Sequence, residues 1–148
     1  MNIMIHTDGA CSGNPGVGGY GAILVCNGQE RIVRGHSKEM TTNNKMELRA
    51  VIEAINWLNR VQKKPCEIEV YTDSKYIVDC TSHKNKDWYK DRPNSEMWME
   101  LITAGLEGKH KIRFIKIKGH SGNVMNERCD KIAKEECVKA RHELNERG

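Results

Sequence analysis

The sequence predicts an α/β (α+β) fold in which a five-stranded mixed sheet is flanked by helices. Segments with strand-like and helix-like patterns alternate in the order β-β-β-α-β-α-α-β-α, which is typical of helices packed on a sheet. An Asn27–Gly28 pair between two strand-like runs indicates that the sheet begins with an antiparallel hairpin. Since 148 residues is the size of one ordinary domain, we expect a single domain over residues 1–148.

Three strands are expected at the start of the chain. The first runs from about Asn2 to Thr7, a Gly-rich segment covers residues 9–21, and the second and third strands cover residues 22–26 and 29–35. Asn and Gly tolerate positive φ, which a tight hairpin between those two strands requires. Two later strands are predicted at residues 66–72 and 111–118, where alternating apolar residues indicate extended chain.

The helices are predicted from apolar residues that recur with a 3.6-residue period. The first long helix follows Asn43 and Asn44, with a stripe formed by Leu48, Val51, Ile52, Ile55 and Leu58. A short helix starts at residues 73–74, another opens at residues 95–96, and the last begins near Asn126. The irregular stretch from Ser82 to Ser95 is interpreted as a surface loop.

Composition excludes several classes of protein. Charged residues make up 30% of the chain and hydrophobic residues 38%, which is typical of a globular domain and not of a membrane or disordered protein. The first residues lack the basic leader of a signal peptide, so we expect a cytoplasmic protein without a membrane span. Six cysteines without a Cys-x-x-Cys pair favour reduced thiols over zinc ligands. The net charge of +4 permits a polyanionic partner without requiring one.

One glycine motif imitates a nucleotide-binding fingerprint. Residues 16–21 read GVGGYG and match G-x-G-x-x-G, which binds dinucleotides when it follows a strand and opens a helix. Here the motif leads into the predicted strand at residues 22–26, so no helix N-terminus is available for a pyrophosphate. We therefore interpret the glycines as allowing a tight entry into that strand.

Four acidic residues are placed where strands end or helices begin: Asp8, Glu47, Asp73 and Asp130. If the first and fourth strands are parallel neighbours, Asp8 and Asp73 emerge side by side at one sheet edge. Carboxylates that close resist joint ionisation, and a divalent cation removes this cost. Oxygen ligands favour Mg²⁺ or Mn²⁺ over zinc. Four carboxylates can hold two ions, which at about 3.5–4 Å apart can cleave a phosphodiester.

Each acidic residue also has a local explanation. Glu47 lies three residues after Asn44 and could complete a capping box. Asp73 could be a helix N-cap, and Asp130 could interact with the positive end of its helix. Asp8 precedes a glycine and could belong to a turn. Spacing alone leaves these alternatives open.

His120 is the other candidate for chemistry. It follows a predicted strand within KGHSG, residues 118–122. A histidine pKa near 6.5 suits proton transfer at neutral pH. A solvated loop histidine is the alternative that the local sequence equally allows.

Taken together, six segments in five ordered blocks of the chain resemble bacterial ribonuclease HI. They are TDGACSGNPG (7–16) with GGYGA (18–22), TTNNKMEL (41–48), TDSKY (72–76), KGHSG (118–122) and NERCD (126–130). The resemblance runs from about residue 3 to residue 140. It implies a ribonuclease H-like fold and an endonuclease that cuts the RNA strand of RNA–DNA hybrids, leaving 5′-phosphate and 3′-hydroxyl ends.

The resemblance also implies residue roles. Asp8, Glu47, Asp73 and Asp130 would be the ligands of two Mg²⁺ ions, which Mn²⁺ could replace, and His120 would assist proton transfer or product release. The residues that would bind the hybrid are the Gly9–Cys11 backbone, Asn14, Thr42, Asn43 and Asn44. Asn14 and Thr42 match positions that bind a phosphate of the DNA strand. The others match positions that contact the RNA minor groove and its 2′-hydroxyls.

One departure from the family pattern lies in the segment that precedes Trp98 in the sequence. The best-known bacterial members carry a basic, Trp-rich helix and loop there, whereas this chain has only KNKDWYKDR, residues 84–92. Fewer phosphate contacts predict weaker and less salt-sensitive binding. Position 75 is Lys where such relatives often have Gln, so we assign no base contact to it.

Two other functions are weighed against this hypothesis. A module that binds hybrids without cutting them would gain nothing from four clustered negative charges. A related DNA nuclease, such as a resolvase or an integrase-like enzyme, shares the fold, but Asn43, Asn44 and the block that begins at Asp8 favour the hybrid-cutting branch. We expect the enzyme to act as a monomer.

Overall fold

Five strands form one mixed sheet in the computed structural model, which describes residues 1–83, 85–119 and 122–147. The strands are β1 (Asn2–Ser12), β2 (Val17–Cys26), β3 (Gln29–His36), β4 (Glu67–Thr72) and β5 (Lys111–Lys116), in the order β3-β2-β1-β4-β5. β1 is antiparallel to β2 and parallel to β4, while β3 is antiparallel to β2 and β5 is parallel to β4. The predicted fold class is therefore confirmed.

Helices cover both faces of the sheet. They are α1 (Asn43–Val61), α2 (Lys75–Thr81), α3 (Ser95–Leu101) and α4 (Val124–Arg147). A 3₁₀ turn spans Lys86–Tyr89, and the chain continues from α3 as a π-helical segment over Ile102–Leu106. No helix within the described ranges is both long enough and apolar enough to cross a membrane.

The main core lies between α1 and the sheet. The apolar stripe of α1, including Val51, Ile52 and Ile55, packs against Ile5 and Val70 of the two central strands. On the opposite face, Cys129 and Ile132 of α4 pack against Ile23 of β2. Burial of each such aliphatic side chain contributes about 1.5–3 kcal/mol, so both helices are fixed to β1 and β2 and carry their acidic residues with them.

The boundaries of several elements differ from the predicted ones. β1 continues beyond Thr7 to Ser12, and β2 begins already at Val17. The Gly-rich segment of residues 9–21 was not assigned to a strand, but Gly9 and Gly21 pair with residues of the neighbouring strand. Glycine lets these paired strands continue beneath helices that approach too closely for a side chain. β5 ends at Lys116, two residues early, and α4 begins two residues early at Val124.

The stretch between α2 and α3 is short and packs on itself. Trp88 lies between the His83 ring, at 3.6 Å between centroids, and the Arg92 guanidinium, at 4.1 Å from the ring centroid. Tyr89 is buried and donates its hydroxyl to the carbonyl oxygens of Cys80 and His83, at 2.6 and 2.9 Å. The predicted surface loop therefore contains an ordered aromatic cluster that anchors it to the core.

Candidate active site

Asp8 and Asp73 are brought together by the parallel pairing of β1 and β4. The last paired residues of these strands are His6 and Tyr71. Asp8 lies two residues beyond this pair on β1, and Asp73 lies two residues beyond it on the other chain segment, directly after β4. The prediction that the two strands are parallel neighbours is confirmed, and it places the two carboxylates at the same edge.

Glu47 reaches these aspartates because α1 approaches the backbone of β1 closely at Gly9. A Cβ atom at Gly9 would lie 2.6 Å from the Glu47 backbone nitrogen and 2.8 Å from the Met46 Cβ. Any larger residue would push the start of α1 outwards. The predicted role of Gly9, a backbone contact with substrate, is therefore accompanied by a packing role that the sequence did not reveal.

The three carboxylates form one compact cluster. One oxygen from each of Asp8, Glu47 and Asp73 lies within 4.8 Å of the other two. Asp8 is 5% exposed and Glu47 is 9% exposed. The Gly9 backbone N–H donates a hydrogen bond of 2.9 Å to Asp8 Oδ1, whereas Glu47 Oε2 is buried without a hydrogen-bond partner among the described residues.

The local explanations for these acidic residues do not match the geometry. The N-cap of α1 is Thr42, whose Oγ1 accepts from the Lys45 N–H at 3.3 Å, so Glu47 lies beyond any capping-box position. Ser74, and not Asp73, caps α2. Asp8 pairs with Gly21 inside a strand and does not lie in a turn.

Burial and mutual repulsion change the acidity of the cluster. Burial, followed by the charges of Asp73 and Asp130, raises the pKa of Asp8 to about 7, although hydrogen bonds from Glu47 and Gly9 oppose the shift. Burial and the Asp8 charge raise the pKa of Glu47 well above its usual value. Without a cation, the pair therefore retains a proton at neutral pH, which is the expected behaviour of two carboxyl groups that share one site.

Asp130 approaches the same site from α4 but stands apart from the cluster of three. It is the seventh residue of its helix, beyond the first turn in which the helix dipole acts. Lys134, one turn further along, places Nζ 3.0 Å from Asp130 Oδ2. The charge of Asp130 still contributes to the raised pKa of Asp8.

The donor set fits a hard divalent cation. All three clustered ligands are carboxylate oxygens, and one buried oxygen of Glu47 has no partner among the described residues. Mg²⁺ and Mn²⁺ prefer such oxygens, and a bound cation replaces the shared proton by a stronger positive charge. Asp8, Glu47 and Asp73 could hold one ion, with Asp130 available at the rim.

The residues predicted to bind substrate form a polar rim beside the carboxylates. The Asn43 backbone N–H donates to Asn14 Oδ1 at 3.1 Å, which joins the start of α1 to the turn between β1 and β2. Asn14, Asn43 and Asn44 are exposed, and Thr42 is half-buried. The Cys11 thiol instead faces inwards and donates to the carbonyl oxygens of Gly16 and Thr41, both at 3.4 Å.

Two further residues adjoin the site and were missed by the sequence reasoning. Lys134 pairs with Asp130, and its position four residues after an acidic helical residue was the available signal. A Cβ atom at Gly119 would lie 3.1 Å from Asp73 Oδ2. His120, the predicted proton-transfer residue, lies outside the described residues.

Comparison with known proteins identifies the family. The RNase H family model matches residues 1–138. A ribonuclease H of Acetivibrio thermocellus is 46% identical over 147 residues, covering 93% of this chain and 95% of its own. A ribonuclease H of Zymomonas mobilis is 43% identical over 145 residues, covering 92% and 88%.

Solved structures agree with this result. LC9-RNase H1, described as a type 1 RNase H with the type 2 active-site motif, superimposes with a TM-score of 0.80 at 26% identity, covering 94% of this chain and 73% of its own. LC11-RNase H1, solved in complex with an RNA/DNA hybrid, gives a TM-score of 0.73 at 25% identity, covering 93% and 98%. This chain therefore belongs to the ribonuclease H family, whose enzymes are endoribonucleases.

Proposed function

We propose that this protein cleaves the RNA strand of RNA–DNA hybrids with two divalent metal ions, leaving 5′-phosphate and 3′-hydroxyl ends. The observation that carries the proposal is the compact cluster of Asp8, Glu47 and Asp73, in which one oxygen from each residue lies within 4.8 Å of the other two. The hybrid bound to LC11-RNase H1, a protein of the same fold, supports this substrate class. Mg²⁺ is the preferred ion in the proposal, and Mn²⁺ is expected to replace it.

In the proposed mechanism, Asp8, Glu47, Asp73 and Asp130 hold the ions. Ions held by these carboxylates would supply Lewis acidity toward water and the phosphodiester oxygens. The protein contributes a fixed arrangement of ligands on β1, α1 and α4. Such preorganised groups need little rearrangement during the reaction. His120 is proposed to move a proton between the site and solvent.

The polar rim is proposed to select the substrate. Asn14 and Thr42 would bind a DNA-strand phosphate. Gly9 and Cys11, through the backbone, would contact the RNA minor groove together with Asn43 and Asn44. The 2′-hydroxyl is the group that distinguishes RNA from DNA at such contacts. Support comes from the hydrogen bond of 3.1 Å between Asn43 and Asn14, which joins both sides of the rim.

The remaining features of the proposal concern the whole chain. We infer that residues 1–148 act as one domain, supported by the single sheet to which α1 and α4 both attach. That the protein acts as a monomer stays a prediction. A cytoplasmic location stays a prediction.

The test is cleavage of an end-labelled RNA–DNA hybrid with Mg²⁺ or EDTA, beside the Asp8→Asn variant. The wild type should cut only the RNA strand and only with the metal. Asp8→Asn keeps the shape of the side chain but removes a ligand charge, so the rate should fall by at least about a hundredfold. Asp91→Asn is the matched control, since Asp91 is exposed and lies outside the cluster.

Two results would contradict the proposal in different ways. A wild type that binds the hybrid but cuts nothing with Mg²⁺ or Mn²⁺ would be a binding module. A wild type that cuts duplex or branched DNA in preference to the hybrid would be a DNA nuclease of the same fold.

A further inference from the structure

An ion cluster centred on one buried carboxylate joins the edge of the sheet to α4, apart from the three clustered carboxylates. Glu136 of α4 has a side chain only 4% exposed, and its Oε2 accepts from Arg34 Nε at 2.6 Å and from Lys139 Nζ at 2.9 Å. Its Oε1 lies 3.0 Å from His36 Nδ1. Burial alone would raise the pKa of Glu136, but these three donors hold it at about 2. Glu136 therefore carries a permanent negative charge.

His36 completes the cluster as a bridge between two carboxylates. Its second ring nitrogen, Nε2, lies 3.0 Å from Oε1 of Glu143, which is about two turns beyond Glu136 on the same face of α4. Both ring nitrogens can donate only in the protonated imidazolium. The hydrogen bond to Glu136, followed by that to Glu143, outweighs burial and raises the pKa of His36.

The cluster lies at the start of a short connection that leads to the polar rim. We name residues 37–41, between β3 and the N-cap of α1, the strap. At one end of the strap, Ser37 N–H donates to Gly18 O at 2.9 Å, directly after His36. At the other end, Thr41 N–H donates to Gly16 O at 2.6 Å, directly before Thr42. The strap thus runs from His36 to Thr42 and is held by a backbone hydrogen bond at each end.

Helix α4 holds the strap at a second point as well. The Arg147 guanidinium, in the last turn of α4, donates to the Lys38 carbonyl oxygen. Helix α4 packs directly on β2 here, because a Cβ atom at Gly19 would lie 2.6 Å from Glu136 Cβ. The cluster therefore connects a fixed helix to a connection whose own residues are mostly exposed.

A purely stabilising role does not explain this arrangement well. Burying charges has a desolvation cost that often cancels their attraction, and apolar side chains of similar size serve stability as well or better. Three directional donors on one carboxylate define the relative positions of the groups that they join. Such a defined geometry is useful where a neighbouring segment must be held in one position.

We propose that Glu136, His36 and Arg34 are positioning residues for substrate binding, which hold the strap so that Thr42 and Asn14 are set to receive a phosphate of the hybrid. This inference rests on the proposed function. None of the three residues touches the reacting atoms, so their loss should weaken binding and leave the chemical step unchanged. In kinetic measurements, KM should rise while kcat is retained.

The inference includes a dependence on pH through His36. Deprotonation leaves the imidazole with one donor between two carboxylates, so one of its two contacts becomes repulsive. The other groups that face His36 or share its groove are Arg34 of β3, Tyr20 of β2, Lys38 and Glu39 of the strap, and Lys45 and Arg49 of α1. Among these groups and the two carboxylates, His36 alone is a histidine, the side-chain type whose ordinary pKa lies near neutral pH.

The experiment compares steady-state cleavage of an RNA–DNA hybrid by the wild type, Glu136→Gln, His36→Gln and Glu135→Gln. Glu135→Gln is the matched control, because Glu135 is the adjacent residue, its side chain is 48% exposed, and it meets Arg34 only at 3.3 Å. For Glu136→Gln and His36→Gln, we expect KM to rise about three- to tenfold with kcat within about twofold of the wild type. The control should match the wild type in both constants.

Amide hydrogen exchange distinguishes a local effect on the strap from a general loss of stability. In Glu136→Gln, the Ser37 and Thr41 amides should exchange faster, while amides in the centre of β1 and β4 keep their protection. The wild-type KM should also rise as pH increases above the ordinary histidine value near 6.5, and the KM of His36→Gln should not follow it.

The outcomes separate the two proposals. If the wild type cuts the hybrid and both folded variants keep its KM, the positioning role is wrong and the proposed function stands. If Glu136→Gln does not fold, His36→Gln decides by the same criterion, since Glu136 there keeps Arg34 and Lys139. If the wild type does not cut the hybrid at all, the proposed function fails, and the inference fails with it.

Discussion

Asp8 and Glu47 carry a free-energy cost in the metal-free protein, because two buried carboxyl groups share one small site. The pKa of Asp8 rises to about 7, and that of Glu47 also rises well above its usual value. Between the ordinary carboxyl pKa near 4 and these raised values, the folded state binds more protons than the unfolded state. The free energy of unfolding therefore falls as pH increases through this window, and the loss is complete above it.

Glu47→Gln tests this cost directly. In EDTA above pH 7, the variant should be more stable than the wild type by about 1–3 kcal/mol, because it removes one of the two competing charges. Below about pH 3 the difference should vanish, since the wild-type pair is then protonated in both the folded and unfolded states. Urea unfolding across pH measures both quantities.

The control for this experiment is Glu146→Gln, at the exposed end of α4, which should show no such pH dependence. Added Mg²⁺ should reverse the order, since it stabilises only the protein that binds it. A Glu47→Gln variant that is less stable than the wild type at every pH would show that Glu47 stabilises the fold through its packing.

The sequence predicted the residues of the site better than it predicted their neighbours. Asp8, Glu47 and Asp73 could be selected because strand ends and helix starts place them at one sheet edge, and the structure brings all three together. Lys134 and Glu136 were not selected. The i,i+4 spacing of Asp130 and Lys134 was a signal that the sequence did contain. Glu136 depends on Arg34, 102 residues away, and such a long-range pairing leaves no periodic signal in a single sequence.

At the scale of elements, the backbone of α4 lies so close to the backbone of β2 that no side chain fits between them at Gly19. A Cβ atom at Gly19 would lie 2.4 Å from both the Ala133 carbonyl oxygen and the Cys137 nitrogen. The sequence suggested only that these glycines allow a tight entry into the strand. The start of β2 was predicted too late because this part of the strand packs against α4, a helix that is distant in the sequence.

Gly19→Ala should therefore displace α4 and the residues it carries, including Asp130. We expect a loss of about 2–4 kcal/mol in the free energy of unfolding, because the added methyl group meets fixed backbone atoms. The cleavage rate of the folded fraction should fall as well, since one carboxylate moves away from the other three. Chemical denaturation and single-turnover cleavage measure the two effects.

Gly28 offers the comparison for that prediction. A Cβ atom there meets nothing within 4 Å, and the residue has a φ of +79° in the hairpin. Gly28→Asn keeps a residue that tolerates this conformation, so it should cost less than about 1 kcal/mol and leave cleavage unchanged. Equal losses for the two variants would indicate that α4 yields easily at Gly19.

At the scale of the whole molecule, a net charge of +4 says little until the partners of the cations are known. In the segment where the best-known bacterial relatives have a basic extension, Lys90 lies 2.8 Å from Asp87 and Lys86 lies 3.6 Å from Glu107. Arg92 covers the face of Trp88. The described cations of this segment are thus compensated within the protein, which the sequence alone could not show.

This compensation leads to a prediction about salt. The logarithm of hybrid affinity falls with the logarithm of salt concentration, with a slope set by the number of phosphate contacts. Because Lys86 and Lys90 are engaged within the protein, the double variant Lys86→Ala/Lys90→Ala should change that slope by less than about one. Lys63→Ala/Lys64→Ala is the matched control, since it removes the same charge from exposed residues just beyond the far end of α1.

The slope itself should be shallower than that of relatives with a basic extension, measured on the same hybrid by fluorescence anisotropy in EDTA. A decrease of about two on removing Lys86 and Lys90 would mean that both lysines leave their carboxylate partners to bind phosphate. The short segment would then act as a reduced basic extension. If neither the Lys86/Lys90 variant nor the control changes the salt slope, the phosphate contacts lie elsewhere. In this structure, the polar rim that contains Asn14 and Thr42 is the surface that we propose for them.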